Sequence, residues 1–164
     1  IAAAVAVGLP AATAIEALSS FRGVKRRMEL IAQAHDIHVY DDFAHHPTAI
    51  RLTLEGLRRK VGNDRILVAL EPRSNTLRAG VHADEPGPAL IAADHVWLKT
   101  GEDIDWDPQV ALAPLEGRCK IVTRVDDMLA QIEARLNPGD HVIFMSNGGF
   151  EAAPRRLAEL LKNR

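Results

Sequence analysis

Four short segments hold most of the side chains able to do polar chemistry. Asp41-Asp42-Phe43-Ala44-His45-His46-Pro47 puts two carboxylates and two imidazoles within six residues. Glu71-Pro72-Arg73-Ser74-Asn75-Thr76 offers an acid, a guanidinium and a run of hydrogen-bonding side chains. Ser146-Asn147-Gly148-Gly149-Phe150 combines polar side chains with a glycine pair, and Arg26-Arg27 is a basic pair shortly after Gly23. The acid–imidazole cluster has two readings. Mixed oxygen and nitrogen donors suit a divalent ion, as a metal-dependent phosphoesterase would use. Adjacent residues of an extended strand point to opposite faces, however, so Asp41 and Asp42 do not converge easily on one ion, and no metal ligand is assigned. The other reading uses Asp42 as an acceptor for sugar hydroxyls with His45 as a positioned donor. Ser146–Gly149 can present successive backbone N–H groups, Gly148 included, as an anion-binding nest. Arg26-Arg27 is either a solvated pair or two guanidiniums facing phosphate. Each segment alone also reads as a capped turn, with Pro47 opening a helix, Ser74 capping another and the glycines making a tight bend.

The elements that must position these segments follow from periodicity. Met28–Ala34 and Ile37–Asp41 are strand-like runs separated by His35-Asp36, which predicts a hairpin. Ile66–Leu70, His95–Leu98, Lys120–Thr123 and His141–Met145 are short, apolar strand patterns. Between them, Ile50, Leu54, Leu57 and Val61 recur at helical spacing, as do Val125, Leu129, Ile132 and Leu136; Leu157, Leu160 and Leu161 give the last helix its face. This alternation predicts an α/β fold: a mostly parallel, Rossmann-like six-stranded sheet with one antiparallel edge hairpin and helices on both faces. In such a sheet, ligands bind outside the carboxyl ends of the strands. Three of the polar segments directly follow strands and so line one edge, where convergent polar groups mark a site. Residues 101–117 are turn-rich and acidic and predict a long surface loop.

The chain has 164 residues, 47% of them hydrophobic, and a formal net charge of -2. That suffices for one packed domain and excludes disorder. It argues against nucleic-acid binding through bulk positive charge. No apolar run approaches the ~18 residues that span a bilayer, so no membrane partner is expected. Cys119 is the only cysteine, which excludes an internal disulfide or a Cys-based zinc site and suits a cytoplasmic setting. The chain opens on Ile1 within two Ala-rich helical patterns broken at Gly8-Leu9-Pro10, and reads as a piece of a longer protein.

FRGVKRRMEL, YDDFAHHPTAI, EPRSNT and MSNGGF, in this order and spacing, resemble the C-terminal part of the Mur ligases. The resemblance covers essentially the whole chain. It implies that residues 1–25 are a helical remnant of a central ATPase domain and 26–164 a C-terminal substrate-binding domain. No G-x-x-x-x-G-K-[ST] is present. In this family ATP, with Mg²⁺, phosphorylates a substrate carboxylate, which an incoming amine then attacks; both would be bound mainly outside this chain. By resemblance, Arg27 reaches the ATP phosphates, with Arg26 the second candidate. Asp42 accepts from the nucleotide ribose, and His45 lies near the reacting phosphate. Glu71, Arg73, Ser74, Asn75, Ser146, Asn147 and Gly148 hold the incoming amino acid or peptide. EPRSNT together with SNGGF implies that UDP-N-acetylmuramate is joined to the tripeptide L-Ala-γ-D-Glu-meso-diaminopimelate in peptidoglycan recycling. The alternative within the family is addition of single L-alanine. Where the family continues SNGGF with a Gly-rich, His-containing turn, this chain has Glu151-Ala152-Ala153-Pro154.

Overall fold

The computed structural model describes residues 1–21, 23–73, 85–101 and 104–163. Two short helices come first, α1 (Ala2–Ala6) and α2 (Ala11–Ser19), and neither buries a residue. They meet at Gly8, whose φ of +93° only glycine adopts cheaply. Next, β1 (Glu29–Ala34) and β2 (Ile37–Asp42) form the expected antiparallel hairpin. Its two turn residues, His35 and Asp36, both have positive φ, the twist that matches a tight two-residue hairpin.

The remaining strands are β3 (Ile66–Leu70), β4 (His95–Lys99), β5 (Cys119–Val122) and β6 (His141–Met145). The sheet order is β1-β2-β6-β3-β4-β5, with every pair after the hairpin parallel. Central strands β3 and β6 are buried at every position. That is why they read as continuous apolar runs rather than alternating ones. The main helices are α3 (Pro47–Val61), α6 (Val125–Glu133) and α7 (Ala153–Lys162), with single-turn α4 (Pro86–Ala89) and α5 (Pro108–Ala111) between.

Strand alternation divides the core into two layers. On one face, Ile50, Leu54 and Leu57 of α3 pack on Tyr40, Val68 and Ile143. On the other, Met128, Leu129 and Ile132 of α6 and Leu157 and Leu161 of α7 pack on Val39, Ala69, Trp97 and Phe144. The chain thus leaves β2 toward one face, through α3, and leaves β6 toward the other, through α7. Between neighbouring strands whose connections diverge, a crevice opens at the carboxyl edge. Here it lies between the ends of β2 and β6.

The surface loop expected over 101–117 needs correction. Asp107 caps α5, its carboxylate accepting from the Gln109 N–H at 2.8 Å. Ala111, Leu112 and Leu115 are buried. A Cβ at Gly87 would collide with the Ala111 carbonyl, so α4 lies backbone-close against this segment. The acidic and turn residues hid two apolar side chains, Leu112 and Leu115, that complete the α3-side core.

Candidate functional site

Parallel register brings the ends of four strands level. Asp42 and Leu70 both stand opposite Met145, and Leu98 stands opposite Leu70. The ladder runs on for one more rung, with the Ser146 N–H donating to the Asp42 carbonyl (3.1 Å) and the Glu71 N–H to the Met145 carbonyl (3.0 Å). Side chains alternate faces along each strand. Asp41, Ser146, Glu71 and Lys99 therefore form a row on the α6–α7 face, and Asp42 turns to the α3 face.

Asp42 is 2% exposed. One carboxylate oxygen accepts from the Met28 N–H and the other from the Ala44 N–H, both at 2.7 Å. It therefore ties the approach to β1 to the loop after β2. Asp41 sits beside Arg26, Nε to Oδ2 3.4 Å. Burial pushes its carboxyl up from the ordinary value, and Arg26 pulls it back down. The two acids thus face opposite ways, and among the described residues no group of three or more His, Cys, Asp or Glu is placed to hold a metal ion. The metal reading of DDFAHH has no cage behind it.

The two arginines separate clearly. Arg26 has a positive φ, and its backbone N–H donates to Glu29 Oε2. Its Nη2 donates to the carbonyls of Ser146 (2.5 Å) and Gly148 (2.6 Å) across the crevice. The Arg26 carbonyl accepts from the Phe43 N–H, and the guanidinium lies over the Phe43 ring. Arg27 is exposed, and its guanidinium also sits over Phe43, 5.7 Å from the centroid. His45 packs edge-on against Phe43, and its Nδ1 lies 2.9 Å from the Phe43 carbonyl. A carbonyl only accepts, so Nδ1 carries a proton.

After β6 the chain folds on itself. The Ser146 hydroxyl donates to Glu71 Oε2 and accepts from the Gly148 N–H, both at 2.9 Å. Glu71 is 3% exposed; its other oxygen receives Lys99 Nζ at 3.0 Å. Glu71 and Ser146 thus face each other rather than the solvent. Arg73 lies along Gly148, where an added Cβ would meet its Nε at 3.1 Å. Its side chain is 58% exposed and approaches Glu71 to 3.9 Å. Asn147 Oδ1 is shielded from solvent and has no hydrogen-bond partner among the described residues. Phe150, Glu151 and Ala152 then all take positive φ. This places Glu151 Oε1 3.7 Å from Lys99 Nζ. Ser74 and Asn75 lie outside the described residues.

The strand ends bring Arg26, Arg27, Asp42, His45, Glu71, Arg73, Ser146, Asn147 and Gly148 to one edge; Asp42, expected to accept from a ribose, instead spends both oxygens on the Met28 and Ala44 amides, and Glu71 and Ser146 are turned inward to each other. Sequence reasoning missed Lys99 and Glu151. The signal for Lys99 was available, since it follows Trp97 at the two-residue period on the face shared with Glu71 and Ser146. Ending the fourth strand at Leu98 hid it.

Residues 26–148 match the family model described as Mur ligase, glutamate ligase domain. The chain belongs to that family. It is 42% identical over 167 residues to the UDP-N-acetylmuramate–L-alanyl-γ-D-glutamyl-meso-2,6-diaminoheptandioate ligase of Haemophilus influenzae, covering 99% of this chain and 36% of that protein. To the UDP-N-acetylmuramate–L-alanine ligase of a Nocardioides species it is 35% identical over 173 residues, covering 98% of this chain and 38% of that protein. The crystal structure of a murein peptide ligase from Psychrobacter arcticus superposes with a TM-score of 0.76 at 40% identity, covering 99% of this chain and 35% of that one. The chain thus spans about a third of the length of these relatives.

Proposed function

We propose that this chain is the peptide-binding part of an ATP-dependent ligase that joins L-alanyl-γ-D-glutamyl-meso-diaminopimelate to UDP-N-acetylmuramate, a cytoplasmic step of peptidoglycan recycling. The observation that carries this reading is the exposed Arg73 side chain lying along Gly148, next to Asn147 in the same loop. An exposed guanidinium fork suits a peptide carboxylate, and a shielded amide oxygen without a partner suits an N–H donor. A peptide with free carboxylates supplies both. The higher identity to a tripeptide ligase than to an L-alanine ligase, over the same share of the chain, points the same way.

Residues 26–164 form the substrate domain in this reading, and 1–25 end the preceding ATPase domain, which holds most of the ATP and the Mg²⁺. The group available here that fits an anion is the exposed Arg27 guanidinium, with the His45 ring beside it on Phe43. In this reading the residues of this chain are assigned no part in holding Mg²⁺. ATP supplies the phosphoryl group that activates the carboxylate. Arg27 neutralises phosphate charge, and His45 is held by Phe43 at the same rim. Asp42 acts on the nucleotide side by fixing the loop that carries both. Glu71 and Ser146 shape the peptide side from beneath, while Arg73, Asn147 and Gly148, with Ser74 and Asn75 following, meet the peptide.

The test is substrate choice by the complete enzyme given ATP, Mg²⁺ and UDP-N-acetylmuramate. Tripeptide should exceed L-alanine in kcat/KM by on the order of 100-fold, as expected where a site built for charged groups meets a ligand lacking them. Equal or better use of L-alanine would overturn the assignment.

A further inference from the structure

Lys99 belongs to none of the polar segments and is the last residue of β4. Its side chain is 16% exposed and lies between two acids, Glu71 at 3.0 Å and Glu151 at 3.7 Å. Glu71 is the more buried of the two, 4% exposed at the side chain against 59% for Glu151. A buried carboxylate stays in a fold only when paired and hydrogen-bonded. Among the described residues the other cation near it, Arg73, stands at 3.9 Å and points largely into solvent. Lys99 is therefore the counter-ion of Glu71.

What Glu71 does with its second oxygen decides the shape of the loop after β6. A hydroxyl has a single proton to give. Ser146 gives it to Glu71, so its oxygen can only accept toward Gly148, and the Gly148 N–H turns inward to it. Arg26 pins the Ser146 and Gly148 carbonyls from the other side. With both flanking residues fixed, Asn147 is the residue of the loop left with an unpartnered acceptor.

We infer that Lys99 is a positioning residue for the peptide site: through Glu71 and the Ser146 hydroxyl it fixes the Gly148 amide and thereby the orientation of Asn147. This deepens the functional reading above and rests on it for the identity of the ligand, but the relay itself is a property of this chain. Glu151 completes the device. It sits in a strained positive-φ turn where its carboxylate reaches Lys99 from the solvent side.

Two measurements test it. The first needs no substrate: amide hydrogen exchange in the 164-residue chain. In Lys99→Met the Gly148 amide should exchange at least roughly tenfold faster, while the Val68 and Val142 amides in the sheet keep their rates; Lys99→Arg should restore most of the protection. Unchanged Gly148 exchange in Lys99→Met overturns the relay. So does a uniform rise that includes Val68 and Val142, because Lys99 would then only stabilise the fold. The second uses the complete enzyme. Lys99→Met should raise the tripeptide KM about tenfold or more, with the KM for ATP within about twofold. Removing the buried charge as well, in Glu71→Gln/Lys99→Met, should recover part of that loss. Equal changes in both KM values would contradict the positioning role. If the wild-type enzyme ignored the tripeptide altogether, the functional reading would fall while the exchange result stood.

Discussion

Arg26 and Arg27 are neighbours with separate tasks. Arg26 spends its guanidinium on two carbonyls across the crevice, on Asp41 and on the Phe43 ring. Arg27 shares only the ring and faces solvent. Arg26→Ala should therefore destabilise the chain by about 2 kcal/mol, since hydrogen bonds from a charged donor are lost and two carbonyls are left without it. Arg27→Ala should leave stability within about 0.5 kcal/mol and instead raise the KM for ATP in the complete enzyme. Thermal melts and steady-state kinetics check both, and a large stability loss in Arg27→Ala would reverse the assignment. The sequence left the two open because both are basic and both lie before β1. Positive φ at Arg26 and Met28 breaks the simple alternation by which a side chain's direction is read. Asp42 was read as an acceptor for ribose hydroxyls; in the fold it accepts from two amides instead, and these come from segments that only the hairpin's pairing brings beside it.

Among the elements, the strands and long helices were legible because their apolar periods are long and regular. Their order was not, since apolar runs do not specify which neighbour they pair with, and placing β6 between β2 and β3 needs the finished sheet. The segment 101–117 was misread because its buried side chains follow no single period. The turn Phe150-Glu151-Ala152 is the opposite case: no glycine signals its left-handed backbone. Ala152 is exposed, with φ +55° and ψ +25°. That conformation costs an L residue about 1–2 kcal/mol, while glycine gives back about 0.4–1 kcal/mol through a freer unfolded chain. Ala152→Gly should therefore stabilise the chain by about 0.5 kcal/mol, read as a Tm rise of about 1–2 °C. A fall in Tm would show that the turn is not left-handed in solution.

For the molecule as a whole, the proposed site and the groups that tie stability to pH sit at opposite edges of one sheet. The amino edge carries His95 and His141, both buried, and burial is the first cause holding the pKa of each below the ordinary imidazole value. The unfolded chain therefore binds more protons once the pH drops below about 6.5. The contribution of these two histidines should be flat above that value and fall beneath it, by up to about 1.4 kcal/mol per pH unit for each until its folded pKa is passed. His95→Phe keeps an aromatic ring against Trp97 and removes a buried Nε2 that has no partner. It should flatten the loss between pH 6.5 and 5 in denaturant melts, and an unchanged slope would exclude His95 as a source. The carboxyl edge, by contrast, gathers its arginines, acids and glycines into the crevice where β2 and β6 part. The claim that this crevice receives a peptide carboxylate turns on Arg73, whose fork lysine cannot copy. The direct measurement is the tripeptide KM of Arg73→Lys in the complete enzyme, set beside its KM for ATP. A rise of roughly tenfold for tripeptide, smaller for a substrate with amidated diaminopimelate and nearly absent for ATP, is the predicted result; equal changes in both, or a loss of thermal stability alone, would contradict it.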